Sequence, residues 1–169
     1  MKRIFVSVLT AILMGGTLVS CGEAKQKENV NVQEVTNINI SDLASKIEQE
    51  VGIVKPGEVT KEELKEIYGV NTDNIEEYSM KQAMIMPGID VLGIFKAKDG
   101  KIDELKSDMQ KIIDAKTDQA YTPILQDALR EAKVVTNGNY LGIFILQGEL
   151  DSEGTNSDKA VEIFNSSFK

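Results

Sequence analysis

The 169-residue chain contains no histidine and a single cysteine, Cys21, so any chemistry must come from carboxylates, amides, hydroxyls, lysines or thioethers. A Ser–His–Asp or Cys–His relay has no base to work with. A zinc site built from His or several Cys has no ligands. No glycine-rich phosphate loop stands at a strand–helix junction, because Gly15-Gly16 lies in the N-terminal apolar run and Gly138 in a turn. Four weaker arrangements remain. Glu62-Glu63, Glu76-Glu77 and Asp103-Glu104 offer paired carboxylates for acid–base work. Adjacent residues point in different directions, however, so helix starts and solvated faces explain them better. Asp151, Glu153, Asn156 and Asp158 offer the oxygen ligands that calcium takes. Their spacing departs from an EF-hand, with Gly154 misplaced and the closing Glu missing. Met80, Met84 and Met86 could present thioethers to Cu(I), or simply line a core face. Gly93 and Gly142 interrupt apolar strands, where a missing side chain admits either a ligand or a packed helix. Packing is the favoured reading. No catalytic residue, metal or cofactor is therefore assigned.

Cys21 itself carries a sharper pattern. Lys2 and Arg3 are followed by the uncharged run Ile4 to Leu18, then Leu18-Val19-Ser20-Cys21. Positive start, apolar run and small-residue box together describe an export signal, and the box ending in Cys is the lipobox of bacterial lipoproteins. The expected cleavage lies between Ser20 and Cys21, with a diacylglyceryl group (palmitate-like chains) on the Cys21 sulfur. Two acyl chains meet the two-signal requirement for stable anchoring. The apolar run is shorter than the roughly 20 residues that cross a bilayer. On this reading residues 1–20 are a signal peptide, 21–38 a lipidated Cys and tether, and 39–169 the folded domain. Lipidation also consumes the only thiol, so the fold must rest on its hydrophobic core.

Net charge is −8, and removing Lys2 and Arg3 takes it to −10. Nucleic-acid binding needs a basic footprint, so it is not expected. An acidic surface is also repelled by anionic head groups, so the domain should stand off the membrane. The polar stretch from Gly22 to about Asn37 would reach on the order of 20–25 Å as a coil.

Periodicity then places the elements. A first helix is predicted over Asp42 to Val51, with Ser41 as N-cap and Ile40, Leu43, Ile47 and Val51 on one face. A second starts at the Thr60/Glu63 capping box, with a Val59–Leu64 staple, and stops at Gly69. Ile75 to Met86 alternates as a strand with Tyr78, Met80, Met84 and Met86 on one side. Pro87-Gly88 turns the chain into Val91 to Ala97. A long helix follows over Ile102 to Ala120, then a short one opened by Thr122-Pro123. A second hairpin turns at Asn137-Gly138-Asn139, and a last helix covers Asp158 to Ser167. The implied fold is α+β. It has a four-stranded antiparallel sheet from two β-hairpins, each followed by a helix, plus two N-terminal helices, with helices mainly on one face. Leu-Gly-Ile-Phe occurs at Leu92–Phe95 and Leu141–Phe144. That fits either a duplicated hairpin-plus-helix unit or convergence of two apolar strands.

Several stretches carry a resemblance. They are Leu64-Lys65-Glu66-Ile67-Tyr68-Gly69 leading to Ile75-Glu76-Glu77-Tyr78, then Ile94 to Lys101, then Val134 to Tyr140. In this order and spacing the chain resembles an uncharacterised family of bacterial lipoproteins, a domain of unknown function common in clostridia-like Gram-positive bacteria. The family pattern often has acidic residues around the first hairpin tip, where this chain has Met86-Pro87-Gly88-Ile89-Asp90. The resemblance implies a cell-surface lipoprotein and carries no catalytic or ligand assignment. The expectation is a non-enzymatic domain on the extracytoplasmic face of the cell membrane, held by its lipid and binding an envelope protein or a peptide. The alternatives are a small-ligand or cation receptor and, behind it, an enzyme limited to Asp, Glu, Lys, Ser or Tyr.

Overall fold

The structure, a computed structural model, describes residues 37–147 and 155–169. Cys21, Ser20, the signal segment and most of the tether lie outside the described residues, as do Asp151 and Glu153. Element order is α1 (Ile40–Val51), β1 (Pro56–Glu58), α2 (Lys61–Glu66), a 3-10 turn (Thr72–Asn74), β2 (Ile75–Ala83), β3 (Val91–Ala97), α3 (Ile102–Thr117), α4 (Pro123–Arg130), β4 (Lys133–Asn137), β5 (Tyr140–Ile145) and α5 (Asn156–Ser166). The strands form one antiparallel sheet in the order β1-β2-β3-β5-β4.

The architecture is mixed α+β, with three corrections to the sequence expectation. The sheet has five strands, not four. β1 is three residues long and begins Pro-Gly, a composition with no strand propensity. It forms because β2 offers it an edge at Lys81–Ala83. Second, α3 and α4 both follow the first hairpin, as Ile102–Ala120 and Thr122-Pro123 predict one by one, so the pattern of each hairpin followed by a single helix is too simple. Third, helices cover both faces of the sheet. On one face α3 and α4 and the α2 region pack Leu64, Tyr68, Leu105, Met109, Ile112, Leu125 and Ala128 against Met80, Val91, Phe95 and Ile143. On the other, α1 and α5 pack Ile40, Leu43, Ile47, Ala160 and Phe164 against Leu92, Ile94 and Phe144. The unbroken apolar runs of β3 and β5 are what such double burial requires. Both strands have their residues almost entirely inside. The outer strands β1 and β4 are short, which limits edge-to-edge pairing.

Local signals set most boundaries. Thr60 and Glu63 form the expected capping box, Thr60 N donating to Glu63 Oε2 at 2.7 Å and Glu63 N to Thr60 Oγ1 at 3.2 Å. Gly69 takes φ +65° at the stop. α1 begins earlier than expected, because Asn39 rather than Ser41 accepts from Asp42 N. α3 ends at Thr117, short of Ala120. α5 begins at Asn156 behind a second capping box, Thr155 with Asp158.

Asp158 also meets Lys133 Nζ at 3.0 Å, tying α5 to the edge strand β4. The Lys133 hydrogen bond, helped by Thr155, holds the Asp158 carboxyl below its ordinary range. A carboxyl depressed by folding stabilises above its unfolded pKa, and that stability is lost as pH falls through the lower folded value. Acid unfolding of an Asp158→Asn variant should therefore be shallower than that of the parent below the ordinary carboxylate range. Circular dichroism across pH 2–5 reads this out, and parallel acid limbs would exclude it. The effect is small because both side chains are substantially exposed.

Candidate functional site

The candidates of the sequence are dispersed. Glu63 is spent in the α2 cap, Glu76 sits at a β-bulge and pairs with Lys96, and Glu104 pairs with Lys101 at the start of α3. Asn156 donates its amide to the carbonyls of Val51 and Gln147, while Asp158 caps α5. Among the described residues no three acidic, His or Cys side chains stand where they could share a metal ion. Met80 is buried in the core, whereas Met84 and Met86 lie beyond the end of β2 and are exposed. The strand stops at Ala83, so the period-two series does not continue to Met86.

Gly93 and Gly142 prove to be packing glycines. A Cβ on Gly93 would come within 2.8 Å of Ile143 Cγ2 and Phe95 Cε2. One on Gly142 would sit 2.8 Å from the Phe144 ring and 3.3 Å from Phe164 of α5. In each Leu-Gly-Ile-Phe copy the Phe covers the Gly two residues before it. The copies pair with one another, Gly93 opposite Ile143 and Ile94 opposite Gly142. Paired residues share a face, so the two glycines lie on opposite faces. A rotation that exchanges two antiparallel strands preserves faces, so no rotation relates the copies. Convergent strand composition is the better description.

What the fold does bring together is an apolar tip over a buried polar cluster. Met84, Ile85 and Met86, in the β2–β3 connection, are 62, 42 and 80% exposed, and Val54 beside them 40%. The tip is held in place. Met84 N donates to Lys55 O and Ala83 N to Asp90 O, both at 2.9 Å. The Met84 side chain lies over Gly57 of β1, where a Cβ would fall 2.3 Å from Met84 Cγ. At Gly88 a Cβ would be 2.5 Å from the Ile85 carbonyl oxygen, so the turn closes only with glycine. Gly57 thus leaves room for the Met84 side chain against β1, and Gly88 lets the turn close at Ile85.

Behind the tip Asp90 is 2% exposed and accepts from three nitrogens: Val54 N at 3.2 Å, Gln147 N at 3.2 Å and Gln147 Nε2 at 3.1 Å. These bonds tie the segment after α1 to the segment after β5. Lys116 of α3, also 2% exposed, donates to Gln82 Oε1 at 2.9 Å. Tyr68 donates its hydroxyl to the same oxygen at 2.5 Å, and its ring lies 5.9 Å from the ammonium. Burial pushes the Lys116 amine down, with the Asp90 charge opposing. Burial, with Glu63, pushes the Tyr68 hydroxyl up to about 12. The sequence does contain the signal for this cluster. Lys116 continues the inward stripe of Leu105, Met109 and Ile112, and Asp90 interrupts an apolar run between Ile89 and Val91. A charge in a core position needs a reason.

A second feature is a groove of about 440 Å³ between α3 and α4, lined among others by Ile113, Leu129, Asp114, Gln126 and Arg130. It lies open to solvent. Among the described residues no helix is long and apolar enough to cross a membrane.

A family model described as a domain of unknown function, DUF4358, matches residues 49–146, more than half of the chain. The chain belongs to the DUF4358 family. No curated protein and no solved structure matches it significantly. The DUF4358 span runs from the end of α1 through β5, so it contains the tip and Tyr68, Gln82, Asp90 and Lys116. Cys21 and α5 lie outside it.

Proposed function

We propose that this DUF4358 protein is an extracytoplasmic lipoprotein, anchored through Cys21, whose domain binds another envelope protein or a peptide without catalysing a reaction. The carrying observation is the fixed apolar tip. Exposed apolar side chains cost solubility, and a contiguous group of them marks a contact surface. Backbone hydrogen bonds from Met84 and Ala83, the close turn at Gly88 and the Asp90 bond to Val54 N fix the backbone that presents this group. Methionine suits such a surface because its unbranched thioether adapts to the pocket it enters.

The test is copurification of the full-length protein from its own cells, with Met84→Ser/Met86→Ser as comparison. The parent should recover one reproducible partner, and the double variant should recover at least tenfold less at unchanged folding stability. Equal recovery would remove the tip from the function. For the anchor, the parent should take up labelled fatty acid and sediment with membranes, whereas Cys21→Ala should do neither. A variant that still does both would overturn lipidation at Cys21.

A second reading, a small-ligand receptor, draws on the α3–α4 groove, whose volume is in the range of ligand sites. Its lining mixes apolar Ile113, Ala120 and Leu129 with polar and charged Asp114, Gln126 and Arg130. A thermal-shift screen against metabolites and divalent ions should move the transition by several degrees if this reading holds. A flat screen counts against it.

A further inference from the structure

The two edges of the sheet are guarded differently, and ladder parity decides which backbone groups point outward. Ala97 N donates to Asn139 O at 2.8 Å, in step with the pairs Phe95–Leu141 and Gly93–Ile143, so the odd-numbered residues of β5 bond to β3. The even-numbered ones, Tyr140, Gly142 and Phe144, then bond to Asn137, Val135 and Lys133 of β4. Val134 and Thr136 are left with N–H and C=O directed away from the sheet, and among the described residues no strand lies beyond them. On the other edge Met84 N donates to Lys55 O and Val59 N to Met80 O. Pro56 and Glu58 therefore point outward, and Pro56 has no N–H to give. Past β1, the edge of β2 is interrupted by the bulge at Ile75–Glu77. β4 has neither device. Its register is unbroken, and its one charge, Lys133, is drawn back to Asp158 at 3.0 Å and Glu131 at 3.6 Å.

We propose that β4 pairs with β4 of a second copy, antiparallel about a two-fold axis at Val135, so that the sheet continues through both chains. The strand is complementary to itself in that register. Val134 lies opposite Thr136 of the second copy, and the reverse, each pair exchanging two hydrogen bonds. Val135 meets its own counterpart and Lys133 meets Asn137, so no like charges are opposed. Five residues alone make a weak junction, and α5 supplies the rest. Asp158 of α5 reaches Lys133, and half-buried Val161 and exposed Asn165 continue the same stripe at helical spacing. α5 packs over both β4 and β5. With strands about 4.8 Å apart, its axis lies about 5 Å from the junction. The two α5 helices then stand about 10 Å apart, the distance at which helices pack. Across the axis Val161 faces Val161, and Asp158 lies beside Asn165. An extended peptide of another protein would fill the ladder but leave this stripe without a counterpart. The net charge of −8 opposes the approach of two copies, and salt screens it beyond about 10 Å.

The test uses the full chain, extracted in detergent at physiological salt. Native mass spectrometry should release two chains from the parent and one from Thr136→Pro, whose lost N–H takes no part in the β4–β5 ladder. Far-UV circular dichroism checks that the variant is folded. A parent of one chain, a parent carrying a different polypeptide in place of its copy, or a dimer that survives in folded Thr136→Pro overturns the proposal. A second arm does not depend on that variant. In the proposed pairing the Cα atoms at position 135 stand about 4.5 Å apart, within disulfide reach, whereas those at position 137 stand about 14 Å apart. Mild oxidation should therefore give Val135→Cys at least tenfold more product of twice the chain mass than Asn137→Cys, each counted above the level of the parent. Equal yields from the two positions, or none from position 135, overturn the pairing.

Discussion

Replacing Asp90 by Ala is expected to lower folding stability by about 2–4 kcal/mol. The carboxylate is buried and accepts from Val54 N, Gln147 N and Gln147 Nε2. Each donor left unpaired in the interior costs about 1–3 kcal/mol. Val54 and Gln147 are themselves partly accessible, so water recovers some of that loss. The substitution also removes the Asp90 charge, which opposes the depression of the Lys116 amine. A double-mutant cycle with Lys116→Met separates the two effects. Lys116→Met alone should be neutral to stabilising, since it withdraws a buried charge and leaves Gln82 Oε1 still bonded to Tyr68. In that background Asp90→Ala should cost about 1 kcal/mol less. Urea unfolding midpoints report all four corners. A loss below about 1 kcal/mol for Asp90→Ala would mean the carboxylate does not bind the two segments together.

The lysine adds a pH signature of known sign. Its amine is depressed in the folded protein, so the unfolded chain holds more protons between the folded value and the ordinary lysine value. Stability therefore rises with pH across that window, and Lys116→Met should remove the rise. Tyr68 acts the other way. Its raised hydroxyl costs stability as pH climbs from the ordinary tyrosine value to about 12.

Phe144→Ala should cost about 3–5 kcal/mol. Phe144 is fully buried, meets Phe164 of α5 edge-on at 6.3 Å, and covers the bare backbone of Gly142. Truncation leaves a void over that glycine which neither β5 nor α5 can close without moving. The complementary change, Gly142→Ala, drives a methyl against the Phe144 and Phe164 rings and should cost about 1–3 kcal/mol. Phe144→Leu should relieve part of that, making the pair less than additive. Thermal unfolding of the soluble domain measures each step. If Phe144→Ala unfolds within a degree or two of the parent, the ring is not supporting the α5 side of the sheet.

The boundaries set by local chemistry are legible in the residues. The Thr60/Glu63 box, the Gly69 stop, Thr122-Pro123 opening α4 and the Asn137-Gly138-Asn139 turn each act within a few positions. β1 is not legible, because Pro-Gly-Glu becomes a strand only when β2 is beside it. The second helical layer is half legible. Val91 to Phe95 and Leu141 to Leu146 are apolar at every ungapped position, which implies cover on both faces. Placing the helices mainly on one face leaves that second cover unaccounted for. Periodicity marks Lys116 and Asp90 as charges at core positions but does not pair them, because the members of the buried cluster come from four separate stretches of chain that meet only in space. Met84 and Met86 share the alternation of β2 but stand past its last paired residue, which is why a core stripe in the sequence becomes a surface tip in the fold.

The central pairing of β3 with β5 has a bearing on how the chain comes to be folded at all. Each hairpin closes locally, β2 on β3 and β4 on β5, and such turns form in microseconds. Joining them brings together strands roughly 50 residues apart, with α3 and α4 looped between. Neither hairpin can bury both its faces until that seam forms. The rate at which the domain matures should therefore follow the strength of the β3–β5 seam. A polypeptide threaded across a membrane as an open chain would keep its two halves separate until both had emerged.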